Sequence, residues 1–492
     1  MSNSSFTATN AAAIPSNKLP KFLLLLAFVE LWERFSYYGM RALLVLYLIK
    51  ELDFTDSHAY AIYGLFATVG YAGSIIFGLL ADKLSGPRYL VFLGSVIMLF
   101  GHALMGCSAM YPDIIYVGLS AIAIGTSAFK GNIANILGLC YKKAQLDSAN
   151  GYIWFHIAIN IGAGLASIIC GTIGMKFGWH YGFGLAGIGM ALGLIALALY
   201  EYILEGVGDV PQMMDIYSIK ISIILIAIAL IVLVSYALTA PEYSMTLFKA
   251  SIPLAVIYYL YVVYTGDLKY RYNLLIVGIL FIFKIMAVAL EMQGAPLIAV
   301  FADRNVDLNV FGYEIAAAST DAINPITIVI FGSLLAGLIK FKDKGGELLF
   351  FIGMISVPLC FAIYYIGILN ATDGIVAFGY FLFGLMIMAI GELFLSPYIF
   401  TQISRLCPTD KRGFVFGFMS IAFACANVIG AIVAQTMSLS AAQKTAEASE
   451  TILIYKQGFG TVGIWNFVAA IVFLVMIPLL RSMEKKTTVI TQ

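Results

Sequence analysis

Charge is what this chain has least of. Asp, Glu, Lys and Arg make up 11% of its 492 residues, where a soluble domain carries about 25%. A water-facing surface cannot be built from so few charged side chains, so the string of soluble domains that the length alone would suggest is excluded. The net charge of +1 provides no broad basic field, which excludes nucleic acid as a partner. The six cysteines (Cys107, Cys140, Cys170, Cys360, Cys407 and Cys425) are scattered and none forms a CxxC. Neither a disulfide framework nor a zinc site is indicated. No nucleophile–base set, metal cluster or phosphate loop is present, so no enzymatic activity and no cofactor is expected.

What the chain does have is apolar length. Hydrophobic residues make up 61% of it, and the runs 221–238 and 91–111 contain no Asp, Glu, Lys or Arg. Runs of about 18 or more mark membrane-crossing helices, so the expected class is an all-α polytopic membrane protein. Residues 1–20 are polar and rich in Ser, Asn and Ala, and read as a disordered tail without a cleavable signal. Apolar segments separated by charged or Gly/Pro-containing turns fall at 22–50, 58–82, 88–110, 113–141, 148–176, 180–203, 217–239, 249–266, 273–301, 312–339, 347–369, 374–404, 412–438 and 452–480. These are 14 expected transmembrane helices.

An even number of spans places both termini on one side. With that side cytoplasmic, inner loops and tails carry 17 Lys and Arg and outer loops carry 6, as the positive-inside rule requires. The organisation reads as six, two and six. Expected units are a tail 1–21, a six-helix bundle 22–203, a linker with two extra helices 204–272, a second six-helix bundle 273–481 and a tail 482–492. Two six-helix halves around a central path make the major-facilitator plan, with the substrate at the midplane.

Ionisable residues inside spans are costly and are functional candidates by default. The first span carries Glu30, Glu33, Arg34 and Arg41, with Tyr37 and Tyr38 among them. Glu30, Glu33 and Arg34 are spaced three and four apart on one helical face and can pair. A neutralised cluster that only holds helices together is the alternative. Lys130 has no acid at helical spacing in its own span, so its partner must come from another helix. Lys284 and Glu291 are seven apart on one face, followed by Gln293, while Glu392 and Asp321 lie in later spans. A buried carboxylate beside a cation can change protonation as that cation moves, which is what proton coupling needs. The segment 81–88, with Asp82, Lys83 and Arg88, reads as a gate at an inner loop. Lone His102 reads as a helix-packing hydrogen bonder, and His156 stands four residues before Asn160.

Glu30-Leu-Trp-Glu-Arg-Phe-Ser-Tyr-Tyr-Gly39 resembles the ExxERFxYY signature of the proton-dependent oligopeptide transporter family, and the match continues through Arg41. Phe155-His-Ile-Ala-Ile-Asn-Ile-Gly162 is similar to that family's FYxxINxG motif. The segments Asp303-Arg-Asn-Val, Ile323-Asn-Pro-Ile and Gly391-Glu-Leu-Phe-Leu-Ser-Pro397 are similar to family segments in order and position. The resemblance implies proton-coupled uptake of di- and tripeptides, driven by a proton gradient. It implies proton coupling at Glu30, Glu33 and Arg34. Substrate contacts are implied at Arg34, Tyr37, Tyr38, Tyr71, Lys130, Asn160, Gln293, Asn324, Glu392 and Ser396, with the peptide carboxylate toward Arg34 and Lys130 and its amine toward Glu392. Gates are expected from the pairs Arg41 with Glu291 and Lys130 with Glu392. The setting expected is a bacterial inner membrane, with a monomer whose termini are cytoplasmic and whose partners are substrate, protons and lipid.

The chain departs from the family on its C-terminal side. The family's seventh-helix acid directly precedes its Gln, whereas here Met292 separates Glu291 from Gln293. A one-residue slip rotates a helical side chain by about 100°, so Glu291 either points elsewhere or is restored by a local bulge. Lys284 stands in the helix that lacks the family's Trp, His156 replaces the fifth-helix Tyr, and Phe418 stands where a Trp is frequent. These changes motivate a second reading: proton-coupled transport of another peptide-like or small polar metabolite, such as a modified amino acid or a siderophore. A sensor that keeps the fold without transporting would be expected to carry long soluble extensions, and the tails here are short.

Overall fold

The computed structural model describes residues 19–146, 149–209, 216–335, 346–440, 443 and 446–491. The tail 1–18, the loop cations Lys340, Lys342, Lys344 and Lys444, and the last residues of the expected span 312–339 lie outside the described residues. Long helices account for nearly all of the rest. They are α1 Lys21–Lys50, α2 Asp56–Leu80, α3 Pro87–Cys107, α4 Ile114–Ala144, α5 Ala149–Phe177, α6 Trp179–Tyr200, α7 Ile216–Thr239 and α8 Pro241–Thr265. The second half holds α9 Arg271–Glu291, α10 Ala299–Asn305, α11 Ile323–Leu335, α12 Gly346–Leu369, α13 Phe378–Leu406, α14 Thr409–Thr436 and α15 Ala448–Thr491. Thirteen spans among the described residues are long and apolar enough to cross a membrane, counting α9 and α10 as one interrupted span. The 30-residue α1 also has the length, and its four internal charges are what set it apart.

Helix ends follow local chemistry. Gly86, at φ 71°, turns the chain into α3, and Pro87 opens that helix, where its missing N–H costs nothing. Gln145 closes α4 in the left-handed region. Two segments differ from the sequence reading. Residues 312–316 were expected to begin a span, but a two-stranded hairpin, β1 Asn309–Val310 with β2 Tyr313–Glu314, occupies this stretch, and a 3₁₀ turn Ala317–Ala322 leads into α11. Residues 374–377 precede α13 instead of starting it: Gly374 at φ 79° makes a turn that a helix cannot contain. The segment 81–88 forms a π turn over Ala81–Ser85. Its Arg88 binds Glu201 at 3.6 Å and Asp209 at 3.0 Å, which ties it to the end of α6.

Helices α1 to α6 pack on one another, as do α9 to α15. Hydrophobic burial does not drive helices together in lipid, so close packing of small residues matters. At Gly94 a methyl group would come within 2.6 Å of the Gly125 carbonyl oxygen, so only glycine lets α3 and α4 approach this closely. At Gly162 a methyl group would collide with the Leu31 carbonyl, so this glycine seats α5 on the charged stretch of α1. The hairpin α7–α8 lies outside both halves, with α7 against α4 and α2, and α8 against α2, α14 and α9. Helix α8 thereby touches both halves, with its Met245 and Ala431 of α14 meeting at Gly64 of α2.

The halves are joined at the end away from the termini. Lys50 binds Asp303 at 2.6 Å. Arg304 of α10 makes a two-pronged pair with Asp56 of α2 at 2.6 and 2.8 Å, and Asp56 also accepts the Leu439 N–H at 2.9 Å. Thr172 and Ser319 pair at 2.9 Å. Near the termini, by contrast, Lys143 with Glu205, Arg405 with Glu484 and Arg481 with Glu347 each stay on one side of the seam.

Candidate functional site between the two halves

On the N-terminal side, α1 presents its charges inward. The Arg34 guanidinium lies between the two acids, with Nε 3.1 Å from Glu30 and in contact with Glu33. All three are buried. Glu30 Oε2, Glu33 Oε1 and Arg34 Nη2 have no hydrogen-bond partner among the described residues. Buried polar atoms of this kind are costly, which keeps the cluster among the candidates for the site.

Lys130 of α4 has its counter-charges on another helix, as its isolation in sequence required. Arg34, Glu33 and Glu30 all act on it electrostatically, the first against its charge and the two acids in favour of it. Its ammonium stands 3.9 Å from the centroid of the Tyr71 ring. Tyr71 in turn stacks on Phe423 of α14, with centroids 5.3 Å apart and planes at 19°. This stack crosses the seam. Lys284 of α9 lies 5.8 Å from the other ring, Phe423. Two cations from opposite halves thus flank one pair of stacked rings, an arrangement held by ring quadrupoles.

The C-terminal side carries the acids. Lys284 donates to Ser396 Oγ of α13 at 2.7 Å, and both Glu291 and Glu392 act on its charge. Glu392 is one helical turn before Ser396, so all of these groups share one wall. The shifted Glu291 reaches this wall. Its side chain meets that of Glu392 and feels Lys284 and Arg41. The reason is local: α9 ends at Glu291, and a π turn over Gly294–Ile298 absorbs the extra residue before α10. Single-turn π insertions of this kind recur at functional sites. Gln293 is carried the other way. Met292 and Gln293 form the turn that follows α9, and Gln293 packs against Gly430 of α14 with 1% of its surface exposed. In this conformation Gln293 lies in the packing between the end of α9 and α14.

The remaining candidates are placed as follows. Tyr37 is buried and stacks on Phe66, so it braces Tyr38 from inside the N-terminal half. Tyr38 is half-buried beneath the Arg41 guanidinium, 4.8 Å away. Asn160 donates to the His156 carbonyl at 2.9 Å on its own helix, and His156 senses the charge of Glu392. Asn324 is half-buried in the first turn of α11. His102 bonds Ser36 of α1 at 2.5 Å, a packing role.

The expected gate pairs take other partners in this conformation. Arg41 binds Asp321 at 3.4 Å, because the 3₁₀ turn before α11 delivers Asp321 against α1. Ser167 of α5 also reaches Asp321, at 3.5 Å. Lys130 belongs to the Tyr71 and α1 cluster, while Glu392 belongs to that of Lys284 and Glu291. Asp321 was visible in sequence as an intramembrane charge, but its partner lies 280 residues away and no spacing announces it. Phe423 carried no signal beyond being aromatic.

A POT family model matches residues 88–452. The chain belongs to the POT family. It is a multi-pass membrane protein of a transporter family, not of an enzyme family. It is 31% identical to the uncharacterized transporter YclF of Bacillus subtilis (strain 168), over 95% of each chain. It is 27% identical to dipeptide and tripeptide permease A of Escherichia coli (strain K12), over 99% of this chain and 97% of that one. Its fold matches the solved structure of a bacterial homologue of the human drug peptide transporters PepT1 and PepT2. That match has a TM-score of 0.82 and 25% identity, and covers 94% of this chain and 99% of the other. The family assigned by the first-helix motif is thereby shown, as is the helical transporter fold expected from the apolar spans.

Proposed function

We propose that this protein is a proton-coupled symporter that imports di- and tripeptides by alternating access. The observation that carries the reading is the division of charge across the seam. Arg34 and Lys130 stand on one side, backed by Glu30 and Glu33, and Glu291 and Glu392 on the other, beside Lys284, with Tyr71 and Phe423 stacked between. A zwitterionic peptide matches this division: its carboxylate meets Arg34 Nη2 and Lys130, and its ammonium meets Glu392. Binding then draws the halves together, because one ligand bridges both. Glu30 and Glu33, in contact with Arg34, serve as proton acceptors whose charge is released or held as Arg34 engages the substrate. Tyr38, Asn160, Asn324 and Ser396 complete the pocket, and the proton gradient is the energy source.

The two bundles, 22–203 and 273–481, act as the moving bodies, with 204–272 as a peripheral link. With both termini cytoplasmic in a bacterial inner membrane, the pairs Lys50–Asp303 and Arg304–Asp56 close the outer side, and the conformation faces inward. We take the working unit to be a monomer. The second reading, transport of another peptide-like or small polar metabolite, is favoured by one observation, the buried Lys284 beside the expected amine site. Uptake of labelled dialanine into proteoliposomes, with and without an inward proton gradient, tests both. Concentrative, gradient-dependent uptake blocked by unlabelled dipeptide is expected; no uptake and no competition by folded protein would refute the peptide reading.

A further inference from the structure

Lys284 is a charge that the transport reading leaves without work. It is 4% exposed and lies deep in α9. Its ammonium is fixed by Ser396 at 2.7 Å and by the face of Phe423 at 5.8 Å. It shares the wall that Glu392 and Glu291 occupy. The wall therefore holds two acids and one resident cation. Because the two carboxyls hydrogen-bond each other, they share one proton; the remaining negative charge balances Lys284, and departure of that proton supplies the charge for one substrate ammonium. A second substrate cation would sit beside Lys284 with no acid left to pair with it. A second substrate anion would find a cation already held in place, its ordering complete before binding.

Accordingly, we propose that Lys284 is a specificity-determining residue that biases this transporter toward peptides with an acidic side chain and against those with a basic one. The inference rests on the peptide-transport reading. In it, the peptide backbone spans from Arg34 and Lys130 to Glu392 and Glu291, and an aspartate or glutamate side chain directed at α9 and α13 reaches Lys284. Like charges brought together in a dry site are rejected more strongly than opposite charges are attracted, so the exclusion of basic side chains is the larger of the two effects. Lys130 on the facing half does not produce this bias, since its charge is shared with Glu30 and Glu33 and is directed at the backbone carboxylate.

The test uses the full chain in proteoliposomes and labelled Ala-Ala, with unlabelled Ala-Glu, Ala-Gln and Ala-Lys as competitors. Ala-Glu and Ala-Gln differ by one charge at nearly constant shape. For the unmodified protein, Ala-Glu is expected to compete about tenfold better than Ala-Gln, and Ala-Lys more than tenfold worse, the size of one charge contact. In Lys284→Gln the three peptides converge, and in Lys284→Arg the order is kept. Should Lys284→Gln fail to drive uptake, calorimetric binding of the same peptides to the purified variant reads the same ratios. Equal competition by Ala-Glu and Ala-Gln in the unmodified protein overturns the proposal, as does a preference that survives Lys284→Gln. If Ala-Ala itself is neither bound nor carried, the transport reading fails and takes this inference with it; that outcome is distinct from Ala-Ala uptake without charge preference.

Discussion

The pair between Arg304 and Asp56 offers a measurement of how strongly the two halves are held shut. Asp56 opens α2 and is 3% exposed, while Arg304 belongs to α10 of the other half. The guanidinium grips both carboxylate oxygens, at 2.6 and 2.8 Å. Opening this end must separate them. Arg304→Gln removes the charge and shortens the side chain, so the Asp56 carboxylate keeps only the Leu439 N–H at 2.9 Å. Stripping one partner from a fully buried pair costs about 3–5 kcal/mol, whereas exposed pairs contribute at most about 1 kcal/mol. Arg304 retains some solvent contact, which places the loss near 2 kcal/mol, between those limits. Because the pair exists only in the closed arrangement, the whole amount acts on the open–closed balance and shifts it about thirtyfold. Spin labels at Met110 and Phe311, both exposed at this end on opposite halves, with Cys107 replaced, report the separation. A single short distance is expected for the parent and an added longer population for Arg304→Gln. The charge-reversed double variant Asp56→Arg with Arg304→Asp restores the short distance. An unchanged distribution in Arg304→Gln would show that the pair does not hold the halves, and the reasoning would be wrong.

Four further outcomes are expected. Glu30→Gln should abolish concentrative uptake while leaving peptide counterflow, and the pH dependence of uptake should flatten; an unaltered pH profile would remove Glu30 from coupling. Lys130→Ala should lower gradient-driven uptake at least about tenfold, because a single charge contact to the substrate carboxylate is lost; full retained transport would end its assigned role. Asp321→Asn should leave Arg41 without its partner at 3.4 Å and shift the same spin-label distances toward opening, by less than Arg304→Gln, since Arg41 keeps its contact with Tyr38. Gly162→Val should force α5 away from the Leu31 carbonyl. Overpacking of this kind costs about 1–3 kcal/mol, to be read as a fall in melting temperature of the purified protein, and an unchanged melting temperature would show that α1 and α5 have slack.

The spans, the pairing within α1 and the family were legible from sequence alone, and the reason is locality. An apolar run long enough to cross a bilayer is a property of consecutive residues, because no water is present to satisfy any backbone other than a helix. Glu30, Glu33 and Arg34 are neighbours on one helical face and meet whatever else the chain does. The isolation of Lys130 showed that its counter-charge lay elsewhere without showing where. Whether Glu291 would face the seam hinged on a register question, and a π turn beginning three residues later accommodates the extra residue. Gln293, only two positions on, was turned into the packing with α14 by the same geometry. The union of Arg41 with Asp321, of Arg304 with Asp56 and of Tyr71 with Phe423 belongs to the tertiary structure alone. These partners sit on different halves, up to several hundred residues apart, and their meeting depends on how two bundles dock, which no periodicity in either partner's own segment encodes.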